Sequence, residues 1–270
     1  MSEFTIFYSW QSDSPAELNR KFIENALRNA VAEIRSEHSL DDDPIVDLGM
    51  ERVPGSPEIA TIMFRKIGHS AIFVGDVTLV GEINGDPVKR TANPNVMVEM
   101  GYAAAFLGWE RIICVMNEHF GKAEEQPVDV RNRRFPIDYA LSPTKDGEAK
   151  TLKQLIKDLR GAIQTVFAYE LESANEASKL LDINCMNLVA KFGAEDYFAG
   201  PNPNETSFGG PFDTAKFNPS ILRLLDLGLV WTDFAPEQGK YAYHWTFKGK
   251  KVAEKLGYRQ PPKPITARLA

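Results

Sequence analysis

One carboxylate stands out for the company it keeps. The segment Asn93-Pro94-Asn95-Val96-Met97-Val98-Glu99-Met100-Gly101-Tyr102-Ala103 carries a single charged side chain, Glu99, among mostly apolar neighbours. Asn93 or Asn95 can cap a helix there, and Pro94 fits its first positions. Val96, Met100, Ala103, Ala104 and Leu107 recur at helical spacing and predict one buried stripe. Glu99 then falls in the first turn, on the edge of that stripe, where the helix amino-terminal dipole favours its ionised form. Beside a cleft, such a carboxylate can stabilise the positive charge that develops on a sugar carbon as a glycosidic bond breaks. A first-turn acid can also do no more than complement the dipole.

The elements that must position Glu99 alternate between short apolar runs and amphipathic stretches. Strands are predicted at 4–8, 45–48, 71–74 (ending at Gly75-Asp76), 111–116 and, as an edge because of Pro136, 135–139. Helices are predicted at 14–35, opened by a Ser14-Pro15-Ala16-Glu17 capping box, and after Pro54-Gly55-Ser56-Pro57, with Ile59, Ile62, Met63 and Ile67 inward. The Glu99 helix and a closing helix at 149–173 complete the set. This alternation predicts a doubly wound α/β domain with a parallel sheet over residues 1–173. Such sheets bind ligands outside the carboxyl ends of their strands. Ser9 to Asp13, Asp76 and Asn93 to Glu99 all meet that edge. Neither a G-x-G-x-x-G fingerprint nor a Walker loop is present, so a nucleotide would be held another way.

From about residue 174 the pattern changes. One helix is predicted over Ala177, Leu180, Leu181, Leu188, Val189 and Phe192, and a long Gly-, Pro- and Asn-rich loop over 197–216. A helix capped by Asn218-Pro219 follows, then strands at 229–231 and 241–247 around a turn at 236–239, a short helix at 250–256, and an extended tail after Tyr258. Helices followed by a β-hairpin predict a smaller α+β, winged-helix-like domain over 174–270.

Charge, cysteines and histidines narrow the classes. Residues 174–270 hold 12 Lys/Arg and 10 Asp/Glu in a chain of net charge −6. The helix at 218–227 has one cation, Arg223, so specific DNA binding is not expected. Lys248, Lys250, Lys251 and Lys255 form a basic cluster that reads as a solvated helix face. Cys114 and Cys185 read as buried thiols of a reduced compartment, and the scattered histidines argue against a zinc site. Neither a secretory leader nor a membrane-spanning run is apparent, so a cytoplasmic location is expected.

Three segments resemble bacterial TIR (Toll/interleukin-1 receptor) and TIR-like domains. Phe7-Tyr8-Ser9-Trp10 is similar to their first strand and its exit, and Met50-Glu51-Arg52-Val53-Pro54-Gly55-Ser56 to the loop after their second. Asn95-Val96-Met97-Val98-Glu99-Met100-Gly101-Tyr102-Ala103 matches the Asn-x-x-x-Glu-x-Gly-Tyr-Ala pattern of TIR-like nucleotide-binding proteins, and is the specific one. The resemblance covers the first 170 residues or so and implies a flavodoxin-like fold. It implies NAD⁺ cleavage between nicotinamide and ribose, with Glu99 catalytic, to linear or cyclic ADP-ribose. It further implies an antiphage or immune effector role and self-assembly through the Arg52–Ser56 loop.

NAD⁺ is then the substrate, and no further cofactor or metal is implied. Around it, Trp10 can stack on nicotinamide or adenine. Ser9 and Gln11 can bind phosphate or ribose hydroxyls, while Asp13 can equally open an ordinary turn. Asp76 can contact ribose or end its strand in a turn. Asn95 belongs to the matched motif, and Tyr102, one helical turn beyond Glu99, packs near the site or in the core. Arg52 can meet phosphate or a neighbouring subunit, or stay solvated. Two other functions fit the same residues: a silent TIR-like adaptor or nucleotide sensor, and a nucleoside deoxyribosyltransferase-like enzyme. Residues 174–270 match nothing in the family's core and are expected to sense a trigger or promote assembly.

Overall fold

A computed structural model of the chain describes residues 4–37, 40, 42, 44–49, 59–83, 89–127, 130, 136–202, 214–235 and 240–261. Along the first part run β1 (Thr5–Ser9), α1 (Arg20–Ser36), β2 (Ile45–Asp47), α2 (Ile59–His69) and β3 (Ile72–Asp76). A hairpin, β4 (Leu79–Ile83) and β5 (Lys89–Ala92), then leads into α3 (Pro94–Phe106), β6 (Ile112–Asn117), β7 (Ile137–Tyr139) and α4 (Glu148–Lys179). Five strands form one all-parallel sheet in the order β2-β1-β3-β6-β7. Numbered among themselves they run 2-1-3-4-5, consistent with a flavodoxin-like, doubly wound fold. Pro136 precedes β7, which among the described residues pairs with β6 alone and so forms an edge.

Alternation along β1 and β3 sorts their side chains onto the two faces. Phe7 and Phe73 pack with Met63, Ile67, Met100 and Ala103 of α2 and α3. On the other face, Phe22 of α1 lies against Tyr139 of β7, with ring centroids 5.1 Å apart. Arg160 of α4 bonds Glu33 and Glu37, at the end of α1. Of the predicted α3 stripe, Val96, Met100, Ala103 and Leu107 are buried, and Ala104 is half-buried.

Several boundaries differ from the sequence reading. The antiparallel β4–β5 hairpin stands where a direct passage from β3 to the Glu99 helix was expected. Its polar residues and the gap between its strands gave no clean alternation. Ser14 caps nothing. Residues 15–19 make a separate turn, and α1 starts after Asn19. Ser14 instead gives its N–H to the Gln11 side chain. Ile59, placed on the inner stripe of α2, is 59% exposed. The loop 50–56, Arg52 included, Phe135, the turn at 236–239 and the tail beyond 261 lie outside the described residues.

The chain divides into two compact units, residues 1–166 and 167–263, with the boundary inside α4. The second unit holds the end of α4, α5 (Ile183–Phe192), β8 (Tyr197–Gly200), α6 (Thr214–Asp226), β9 (Val230–Ala235), β10 (Lys240–Trp245) and α7 (Phe247–Lys255). Its antiparallel sheet runs β8-β10-β9, with Tyr243 and Trp245 turned into a core with Cys185, Val189, Ile221 and Leu224. Two helices replace the single one expected over 177–192. Asp182 breaks the run and caps α5 by accepting from the Cys185 N–H at 2.8 Å. Tyr197–Gly200 is a strand rather than the start of a long loop. Asn218-Pro219 lies inside α6 instead of opening it, which adds Lys216 to that helix's cations. No helix among the described residues is long and apolar enough to cross a membrane.

Candidate functional site

The order β2-β1-β3 reverses the direction of winding beside β1, and the carboxyl ends of β1 and β3 flank that switch point. Ser9 ends β1 and pairs with Gly75 of β3. A side chain at Gly75 would meet the Phe73 ring and Val96, so this position of β3 is kept small by packing. Glu99 reaches the end of β1 from α3, and Ser9 Oγ donates to Glu99 Oε2 at 2.6 Å. That length is typical of a hydroxyl donating to a charged oxygen.

Glu99 itself sits differently from the sequence reading. Asn93 is the N-cap, its Oδ1 accepting from the N–H groups of Asn95 and Val96 at 2.8 and 3.3 Å. With Pro94 as the first helical residue, Glu99 falls in the second turn, and the first turn of α3 carries no acid. The dipole's influence fades beyond the first turn. Burial therefore governs the carboxyl: desolvation pushes its pKa above the ordinary glutamate value, and the Ser9 hydrogen bond offsets part of that rise.

The other predicted residues fall into three groups. Gln11 and Asp76 belong to a buried polar network on the sheet face opposite Glu99. Asp76 is fully buried and accepts from Gln11 Nε2 at 3.3 Å, Asn19 Nδ2 at 3.5 Å and the Thr78 N–H at 3.1 Å. Desolvation raises its pKa while these donors lower it. Gln11 Oε1 also accepts the N–H groups of Asp13 and Ser14, at 2.6 and 2.9 Å, which shapes the turn leaving β1. Both residues are therefore occupied by protein partners rather than turned toward Glu99.

Trp10 is half-buried beside this turn. Its ring is covered on one face by the Arg20 guanidinium, 3.5 Å from the ring centroid. A flat ligand could use only the opposite face. Asp13 Oδ2 accepts from Asn93 Nδ2 at 2.6 Å, joining the β1 exit to the α3 cap. Asn95 is exposed just past that cap.

Tyr102 is set apart by its packing. Its ring stacks on Phe64 and on Phe106, with centroids 4.5 and 4.9 Å away, in the α2–α3 layer. Its spacing from Glu99 was helical, but its ring is spent on packing.

Sequence reasoning missed Asn19, Thr78 and Asn117. Asn19 Nδ2 donates to Thr78 Oγ1 at 2.7 Å, and Thr78 Oγ1 accepts the Asn117 N–H at 3.0 Å. Asn117 closes the edge by donating to Leu141 O and accepting from the Leu141 N–H. The only signal in the sequence was that each polar residue sits at an element's end. No protein-family model matches this chain, and no curated protein matches it.

The remaining groups offer little chemistry of this kind. Burial pushes the Cys114 thiol up to about 12, too high for a nucleophile at neutral pH. Among the described residues no cluster of His, Cys, Asp and Glu is arranged to hold a metal ion.

Proposed function

We propose that residues 1–166 form a TIR-like NAD⁺ glycohydrolase whose catalytic carboxylate is Glu99. The observation that carries this reading is the Ser9–Glu99 hydrogen bond, which fixes an acid at the switch point of a flavodoxin-like sheet. The motif around Glu99 supplies the choice of substrate.

Cleavage of the nicotinamide–ribose bond suits a single carboxylate. The C1′–N bond breaks with its electron pair moving to the pyridinium nitrogen, so nicotinamide leaves neutral and no general acid is required. Positive charge develops on the ribose carbon, and the Glu99 carboxylate stabilises it. Water then adds to C1′ and loses a proton, giving ADP-ribose. Ordinary glycoside hydrolysis needs a second acid because its leaving oxygen must be protonated. Ser9 holds Oε2 and leaves Oε1 as the oxygen for the ribose. A cyclic product would arise if a hydroxyl or ring nitrogen of the same nucleotide took the place of water.

The second unit is read as a winged-helix-like module that senses a trigger or promotes assembly, supported by its β8-β10-β9 sheet and helices. The biological role proposed is a defence effector that assembles into a homo-oligomer in the cytoplasm. Mixing purified protein with NAD⁺ and following free nicotinamide tests the chemistry, and product identification separates linear from cyclic ADP-ribose. Base exchange on deoxynucleosides without nicotinamide release would favour a deoxyribosyltransferase. Binding of NAD⁺ without turnover under any trigger would favour an adaptor or sensor.

A further inference from the structure

Glu99 reaches Ser9 from a different element, so something must fix α3 relative to the end of β1. A continuous chain of hydrogen bonds does this at the amino end of α3. Gln11 Nε2 donates to Asp76 at the end of β3, and Gln11 Oε1 holds the Asp13 N–H. The Asp13 carboxylate accepts from Asn93 Nδ2, and Asn93 Oδ1 caps α3. The amide orientation of Asn93 is dictated by chemistry: only its oxygen can accept two backbone N–H groups, and only its nitrogen can donate to a carboxylate.

We propose that the Asp13–Asn93 hydrogen bond is a clamp that sets Glu99 against Ser9, making Asp13 and Asn93 positioning residues rather than ligand contacts. The proposal rests on the reading of Glu99 as the catalytic carboxylate. Glu99 lies six positions beyond the cap, a lever of about 9 Å along the helix. A tilt of about 6° at the cap therefore moves the carboxylate by roughly 1 Å. That stretches a 2.6 Å contact past the range of an O–H···O hydrogen bond. A displacement of this size in a catalytic group can cost roughly 100-fold in rate.

Polarity makes the clamp separable from the cap. Asn93→Asp keeps a good N-cap but sets two carboxylates against each other. Asp13→Ala opens the clamp and leaves the cap untouched. Asp13→Asn keeps an acceptor for Asn93. The double variant D13N/N93D restores the bond with donor and acceptor exchanged.

The test measures kcat and KM for NAD⁺ cleavage in the full chain, together with crystal structures of the variants. N93D and D13A are expected to lower kcat by roughly 10- to 100-fold with KM changed by about twofold or less. D13N/N93D should recover kcat to within about threefold of wild type, with the Ser9–Glu99 bond lost in N93D and regained in the double variant. Wild-type kcat in both N93D and D13A with the Ser9–Glu99 bond intact would overturn the clamp. A D13A variant with raised KM and unchanged kcat would also overturn it, by showing Asp13 to be a ligand contact. If N93D does not fold, D13A decides. If wild type releases no nicotinamide, the proposed activity falls, and the crystal distances alone decide the clamp.

Discussion

Replacing Glu99 by glutamine separates chemistry from stability, because the structure predicts opposite signs for the two. Glutamine preserves size and can still accept from Ser9 Oγ, so the 2.6 Å contact survives as a neutral bond. What disappears is the negative charge. A preorganised group facing developing charge contributes about 2.7–4 kcal/mol to the transition state, so turnover should fall by roughly 10²–10³-fold. Stability should move the other way. Burial raises the folded-state pKa of Glu99 above its unfolded value. Between those two values the native state binds more protons than the unfolded state, so wild-type stability falls as pH rises through that window. Above it the ionised carboxylate carries its full desolvation cost, which the neutral amide does not. E99Q should therefore melt at or above the wild-type temperature near neutral pH, and the gap should close as pH drops below the ordinary glutamate range of about 4.3. The assay is nicotinamide release paired with thermal melts across that range. Wild-type turnover in E99Q would refute the catalytic assignment. A melting temperature well below wild type at neutral pH would refute the argument that burial, not the helix dipole, governs this carboxyl.

Wild-type activity should rise with pH through an apparent pKa above the ordinary glutamate value, because cleavage needs the ionised carboxylate; a kcat/KM profile flat down to pH about 4 would contradict this. Asp76→Ala removes the acceptor shared by Gln11, Asn19 and the Thr78 N–H, and should cost about 2–4 kcal/mol in urea unfolding, whereas a loss under about 1 kcal/mol would mean the network relaxes easily. Gly249→Ala would drive a Cβ into the Leu229 carbonyl, so the second unit should lose about 1–3 kcal/mol, read from unfolding of the full chain. Residues 167–263 should show no sequence-specific duplex binding near about 10⁻⁸ M at physiological salt, and a footprint lost in Arg223→Ala would favour a transcription regulator instead. Specific activity should rise with protein concentration if assembly completes the site, and a constant value over a wide dilution series of a monomer would argue for a self-sufficient site.

The sequence by itself determined the parallel α/β architecture and the α3 stripe. Both follow from local periodicity: apolar runs of strand length between amphipathic helices leave few alternatives, and Val96, Met100 and Ala103 point one way whatever lies opposite. It also singled out Glu99 and Ser9, but it could not show that they touch, because 90 residues separate them. Only the strand order brings β1 beside β3, so that the end of β1 lies where α3 can reach it. Tertiary structure also decided what each polar residue at the ligand edge does. Asp76 and Gln11 had types suited to a ribose, but the pleat turns Asp76 to the face away from Glu99, where it meets Asn19 and Thr78. Tyr102 had the right spacing from Glu99, yet Phe64 of another helix claimed its ring. The electrostatics of Glu99 changed for the same reason. Sequence placed it by a cap it could only guess, while its pKa depends on how much water the packed fold removes.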